Sequence, residues 1–111
     1  MPDTNPSLTI PILQALIAAQ QVVVSDHAYD KMRDRAIVPK DVLSGIAAAV
    51  VLEDYPDAHK GPSLLALQWD AQGQPIHVVW GVPAGSWSPA VLVTAYWPEP
   101  DQWSQDFRSR I

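Results

Sequence analysis

The sequence contains no cysteine. This absence excludes disulfide bonds, thiolate metal ligands and a cysteine nucleophile. The chain also lacks a long apolar run. Pro11 interrupts the stretch 8–19, which is too short to cross a bilayer and follows no basic segment. We therefore expect a cytoplasmic protein without a signal peptide or a membrane segment.

Positive charge is scarce: 7 Lys and Arg residues stand against 12 Asp and Glu residues, and the net charge is -5. Nucleic-acid-binding proteins usually carry a basic face, because contacts with phosphate supply much of their affinity. A nucleic-acid site in this chain must therefore be a local patch on an acidic body. Such a body tolerates a small anion better than a long one.

Several sequence motifs of enzymes and binding proteins are missing. The chain has no G-x-S-x-G, no P-loop and no G-x-G-x-x-G, which argues against an acyl hydrolase, an NTPase and a dinucleotide-binding enzyme. Its three histidines form no H-x-x-x-H or H-x-H pair that would suit zinc. No DNA-binding motif is present either. We expect no metal and no cofactor.

The first half of the chain shows the spacing of apolar residues that is typical of helices. It predicts one helix over residues 9–20, a second over 26–35 with Ser25 as its N-cap, and a third that begins at Pro39. Residues 22–24 are a short β-branched run, for which a small strand and an extended link both remain open.

From residue 50 onward the apolar period changes to two, which indicates strands. Asp101 is expected to begin a short C-terminal helix with Trp103, Phe107 and Ile111 on one side. The predicted strands cover residues 51–55, 63–69, 75–82 and 90–97, with Gly73 left-handed in a hairpin turn.

Helices followed by a meander of hairpins indicate a single α+β domain over residues 1–111, with 1–8 as a loose tail and 98–111 as a C-terminal extension. Two to three N-terminal helices should pack on one face of a mainly antiparallel four-stranded sheet. The five tryptophans are many for this length. The segment from Trp87 to Phe107 is rich in them and is able to cover the other sheet face.

His27 is the first candidate for catalysis. It lies on the polar side of the second predicted helix, with Lys31 and Arg35 within reach on the following turns. Histidine transfers protons near neutral pH, and a guanidinium binds phosphate. A solvent-exposed histidine without a function is the simpler interpretation of the spacing alone.

The predicted sheet supplies the other candidates. His77 lies either on an open sheet face, as an acid or base, or in the core. Thr94 and Tyr96 should share one face of the last strand with Ala90 and Leu92, and their hydroxyls suit a phosphate, although both residue types also simply favour strands. Trp87, at the tip of a loop, is a candidate binding residue together with the lysine on the second helix.

Short motifs lie along the chain: His27-Ala28, Met32, Arg35, Ile37, Val42, Val51-Leu52-Glu53-Asp54-Tyr55, Pro75-Ile76-His77-Val78-Val79 and Val93-Thr94-Ala95-Tyr96. In these motifs the chain resembles a bacterial domain family of unknown function, over about residues 22–97. That family is grouped with the RelE-like and barnase–EndoU–colicin set of small endoribonucleases and toxins.

The resemblance implies a RelE-like packing of helices on an antiparallel sheet and RNA cleavage without a metal. The residues that it would place in the site are His27, Arg35, His77, Thr94 and Tyr96. In such chemistry a base takes the proton of the ribose 2′-hydroxyl, an acid protonates the leaving 5′-oxygen, and a cation stabilises the phosphate.

Three functions remain open. The first is a metal-independent endoribonuclease acting on RNA, as the toxin of a toxin–antitoxin pair. It needs His27 and Arg35 to meet His77 or the Thr94 and Tyr96 face. The second is a non-catalytic interaction module, in which exposed tryptophans bind a protein partner or a second copy. The third is a small-anion or nucleotide binder or enzyme in the same pocket.

Overall fold

The computed structural model describes residues 7–111 as an α+β domain, which confirms the predicted class. The predicted loose tail, residues 1–8, lies almost entirely outside the described residues. In chain order the elements are α1 (Thr9–Ala18), β1 (Val22–Val24), α2 (Asp26–Asp34), α3 (Pro39–Gly45), a 3₁₀ turn (Ile46–Ala48), β2 (Val50–Tyr55), β3 (Ser63–Trp69), β4 (Pro75–Gly81) and β5 (Ala90–Tyr96).

Two of the helices begin at residues that favour a helix N-terminus. The Ser25 hydroxyl accepts a hydrogen bond from the backbone N–H of Ala28 at 3.0 Å, so the predicted N-cap of α2 is confirmed. Pro39 stands in the first turn of α3, where its missing N–H costs nothing. None of the helices within residues 7–111 is long and apolar enough to cross a membrane.

The sheet has five strands in the order β1-β5-β4-β3-β2. The pairs β2–β3, β3–β4 and β4–β5 are antiparallel, as predicted, and Gly73 is left-handed (φ 78°) in the turn before β4. The prediction of four strands is wrong, because β1 pairs parallel with β5, Val22 opposite Ala90 and Val24 opposite Leu92. Two neighbouring parallel strands need a long connection between them. The connection between β1 and β5 contains α2, α3 and strands β2 to β4. The RelE-like arrangement is not confirmed.

All three helices pack on one face of this sheet. Leu13 of α1, Met32 of α2 and Val42 of α3 are fully buried there against the inner side chains of β3, β4 and β5. The apolar inner residues of the three central strands are Leu64, Ala66, Ile76, Val78, Trp80, Ala90, Leu92 and Ala95. The opposite side of the sheet is called the outer face below.

A β-bulge in β5 changes which residues share a face. Val79 pairs with Thr94, but the next residue of β4, Trp80, pairs with Leu92. The extra residue shifts the alternation by one position. The expectation that Thr94 and Tyr96 share a face with Leu92 is therefore wrong: Leu92 points into the core and the two hydroxyls lie on the outer face.

The last 14 residues, 98–111, are called the strap. They form turns and one isolated bridge between Trp103 and Arg110, so the predicted C-terminal helix is wrong. Phe107 is left-handed (φ 62°) and Ile111 is exposed, which removes the apolar stripe that suggested a helix. The irregular path lets both the ring of Trp103 and the carbonyl of Phe107 reach the outer face.

Candidate functional site

His77 lies on the outer face, between Leu67 of β3 and Tyr96 of β5. An outer-face residue of a one-sided sheet would ordinarily be exposed to solvent. His77 is nevertheless completely buried, because the strap covers it. The sequence left open whether His77 lies on the open face or in the core. It lies on the outer face, but its side chain is enclosed by the strap.

Both ring nitrogens of His77 have polar partners. Nε2 lies 2.8 Å from the carbonyl oxygen of Phe107, and Nδ1 lies 3.4 Å from the hydroxyl of Tyr96. A neutral ring with its proton on Nε2 donates to Phe107 and accepts from Tyr96. Burial is the largest influence on the histidine and lowers its pKa, so the neutral form is favoured.

A series of aromatic and ionic contacts holds the strap over this histidine. The ring of Trp103 stands edge-on to that of His77, with centroids 4.3 Å apart. The guanidinium of Arg110 lies 4.8 Å from the Trp103 ring centroid, and its Nε donates to a Glu53 carboxylate oxygen at 2.9 Å. The hydrogen bonds from Arg110 and then from Tyr55 lower the pKa of Glu53.

A cleft opens where the strap meets the end of α2 and β5. It has a volume of about 440 Å³, within the range of small-ligand sites. We call it the Arg35 cleft. Its lining residues are Arg35, Tyr96, Trp97, Glu99, Gln102 and Trp103.

Arg35 is fixed in this cleft by two hydrogen bonds to β5 and its extension. Its Nη1 donates to the carbonyl oxygen of Ala95 at 2.8 Å, and its own carbonyl accepts from the indole N–H of Trp97 at 2.6 Å. Within residues 7–111 no carboxylate lies within 4.0 Å of its guanidinium. The side chain is therefore a positioned cation without an ion-pair partner, although Glu99 lines the same cleft.

A comparison with models of protein families identifies the central part of the chain. The family model described as a domain of unknown function, DUF4258, matches residues 24–97. The chain belongs to the DUF4258 family. The predicted membership in a family of unknown function is thus confirmed, whereas its link to RelE-like ribonucleases remains a prediction. No curated protein and no solved structure matches the chain.

The DUF4258 match runs from the end of β1 to just beyond β5 and stops before the strap. Arg35, Tyr96 and His77 thus lie inside the family domain, while the residues that enclose His77 lie outside the match. The strap is consequently an addition to the part of the chain that the family model describes.

The DUF4258 domain brings together some of the predicted site residues. His77 and Tyr96 are in contact, with ring centroids 5.4 Å apart, and Thr94 lies on the same face opposite Val79. Arg35 meets Tyr96 in the cleft. His77 itself does not line that cleft.

Other predicted residues stay apart from this group. His27 is exposed in the first turn of α2, and Lys31 is half-buried one turn later, but neither lines the Arg35 cleft. Trp87 is 71% exposed in the loop between β4 and β5. In the described part of the chain, no group of three or more acidic or histidine side chains is placed to hold a metal ion.

The sequence did not reveal the strap's role. Glu53 and Asp54 are adjacent on β2 and pair with Leu65 and Leu64, so their side chains face opposite ways. Nothing in the spacing links Glu53, in the middle of the chain, to Arg110, which lies 57 residues later. The only usable signal was the density of aromatic residues after the last strand.

Proposed function

We propose that this chain binds a small ligand that carries an anionic group and an aromatic ring, of the mononucleotide class, in the Arg35 cleft. The observation that supports this proposal is the positioned guanidinium of Arg35, which has no ion-pair partner within 4.0 Å. Arginine presents several N–H groups in a planar fork that matches a phosphate or carboxylate. One of them is used by Ala95, which holds the fork in place and leaves the others for a ligand.

The rest of the cleft suits a heterocyclic ring. Half-buried Trp97 and Tyr96 supply aromatic surface, on which nucleobases stack, and buried Trp103 closes one side of the cleft. Glu99 and Gln102 supply hydrogen-bonding groups for a ring edge, on a turn in which the Gln102 N–H donates to the Glu99 carbonyl at 3.0 Å. A few polar groups in an aromatic cleft are typical of small-molecule sites.

Size and charge both favour a small ligand over a polymer. The net charge of -5 repels an extended polyanion, whereas one phosphate needs only one local cation. The strap also closes the outer face over His77, so a long strand has no open path to that histidine.

The proposal predicts that AMP, GMP, CMP or UMP binds the full chain more tightly than the matching nucleoside or inorganic phosphate alone. Replacing Arg35 with glutamine should weaken nucleotide binding by roughly tenfold or more, since charge-assisted hydrogen bonds contribute about 1.5–3 kcal/mol each. Isothermal titration calorimetry with each of the four monophosphates measures both effects.

Arg33→Gln is the matched control, because Arg33 lies near the end of the same helix but pairs with Asp30 in solvent and does not line the cleft. It removes the same charge and should leave affinity nearly unchanged. Thermal melting of both variants checks that the Ala95 contact is not needed for folding. If no monophosphate binds the wild type, the proposed function is wrong.

The metal-independent endoribonuclease is a second candidate. It is favoured by the contact between His77 and Tyr96 and by the presence of Thr94 on the same face. These are groups able to move protons and to bind a phosphate. The strap must leave the outer face before RNA reaches them, so activity is expected only when the strap is loosened.

This candidate predicts that labelled single-stranded RNA in EDTA stays intact with the wild type and is cleaved by Arg110→Glu, which places two carboxylates together at Glu53. Adding His77→Gln to that variant should abolish cleavage. Absence of cleavage by Arg110→Glu, under conditions in which His77 is shown to be accessible, would contradict the nuclease prediction.

The interaction module is not favoured by the positions of its tryptophans. Trp103 is buried and Trp97 is half-buried and bonded to Arg35, so the two do not join Trp87 in one exposed patch. An apolar groove of about 500 Å³ does remain on the uncovered part of the outer face, lined by valines of β4 and β5.

A further inference from the structure

Trp103 contributes to two neighbouring features of the structure, the enclosure of His77 and the wall of the Arg35 cleft. It packs against the ring of His77, and it also lines the Arg35 cleft. A movement of the strap that separates Trp103 from His77 must also change the cleft. The accessibility of the histidine and the shape of the cleft are thereby physically connected.

The walls of the cleft come from two parts of the chain. The DUF4258 domain supplies Arg35, Tyr96 and Trp97, and the strap supplies Glu99, Gln102 and Trp103. The complete cleft therefore exists only while the strap lies on the sheet. A ligand that touches both walls binds the closed arrangement better than the open one.

The strap is attached to the rest of the domain by few polar contacts. Its backbone hydrogen bonds, such as Ser104 N–H to the Ser109 carbonyl, are internal. Within residues 7–111, the hydrogen bonds that leave it are those from His77 to Phe107 and from Arg110 to Glu53. Apart from the packing of buried Trp103, these are its attachments, and an irregular segment with internal bonds and few outward ones is the kind that opens locally while a sheet stays folded.

We propose that the strap is a cover over His77 whose closure completes the Arg35 cleft, so that a nucleotide in the cleft locks the cover shut. This inference rests on the proposed function. By linkage, a ligand that binds only the closed arrangement lowers the open population by the factor 1 + [L]/Kd. A mononucleotide is thus an effector that controls access to the outer face.

Acylation of His77 by diethyl pyrocarbonate, followed by mass spectrometry, measures the open population in the full chain. We expect the monophosphate that binds most tightly to slow acylation of His77 about elevenfold at ten times its Kd. His27 and His59 are exposed, and their rates report reagent activity in the same sample. They should not change with the nucleotide.

Charge substitutions test the cover without any ligand. Arg110→Glu should raise the His77 acylation rate by roughly two- to fivefold, and the double variant Glu53→Arg with Arg110→Glu should restore slow acylation by re-forming the pair. Arg108→Glu is the matched control, because Arg108 pairs with Asp106 inside the strap. Peroxide oxidation of buried Met32 reports global unfolding and should stay constant.

The outcomes separate the two proposals. A nucleotide that binds but leaves the His77 rate unchanged overturns the coupling and leaves the proposed function standing. Failure of every monophosphate to bind overturns the proposed function and the coupling with it. A His77 rate that rises in Arg110→Glu only in parallel with Met32 oxidation overturns the strap as a separate cover.

Discussion

Replacing Trp103 with alanine is expected to lower the free energy of unfolding by about 3–5 kcal/mol, the usual cost of truncating a buried tryptophan. Trp103 is only 5% exposed and lies between His77 and Arg110. Its loss removes the centre of the contacts that hold the strap. Urea denaturation followed by circular dichroism measures the change, and Trp87→Ala, at an exposed tryptophan, should cost far less.

The same variant should change how stability depends on pH. Burial lowers the pKa of His77 in the folded protein below its ordinary value of about 6.5. The folded state therefore binds fewer protons than the unfolded state, and stability falls as the pH drops below about 6.5 towards the folded pKa. Glu53, whose pKa is also lowered, adds a further loss at more acidic pH.

In Trp103→Ala the histidine is expected to be hydrated, so its pKa should return towards the ordinary value and the loss just below pH 6.5 should shrink. Unfolding free energies of the wild type and the variant between pH 7.5 and 5, a range set by the ordinary histidine pKa of about 6.5, provide the comparison. Equal pH profiles would mean that Trp103 does not enclose His77. A stability cost as small as that of Trp87→Ala would mean that the strap is not part of the folded core.

Gln68→Leu is expected to destabilise the protein by about 2–4 kcal/mol, since each buried polar group left without a partner costs roughly 1–3 kcal/mol. The Gln68 side chain accepts from the indole N–H of Trp80 at 2.7 Å and donates to the carbonyl of Val42 at 2.8 Å. All three residues are completely buried. The amide therefore joins the sheet to α3 through the centre of the core.

Gln72→Leu, in the exposed turn after β3, makes the same chemical change without these partners and serves as the control. Adding Trp80→Phe to Gln68→Leu should cost less than the sum of the two single changes, because the indole N–H is then no longer left unpaired. A stability for Gln68→Leu equal to that of the wild type, by urea denaturation, would show that the two freed groups find other partners.

The local elements were predictable because their signals are local. Ser25 caps α2, Pro39 starts α3, and the alternation in β3 and β4 gives their bounds to within a residue. Each signal involves residues a few positions apart. The positions of His77 and Tyr96 in neighbouring strands followed from the same alternation.

What failed depends on contacts between distant segments. The pairing of β1 with β5 and the packing of Trp103 on His77 are long-range choices, and neither three valines nor one tryptophan specifies a partner. The bulge after Leu92 leaves no mark in the alternating pattern. For the same reason the sequence placed Arg35 beside His27, whereas the structure places it beside Tyr96.

The parallel pairing of β1 has a consequence for the order of folding. Strands β2 to β5 are joined by turns and loops, so their contacts form between segments that are close in the sequence. Val22 meets Ala90 only after most of the chain has been brought into a loop, which carries a larger entropic cost. The meander is therefore expected to form first, and the three-residue edge strand, together with α1 before it, is added to an existing template.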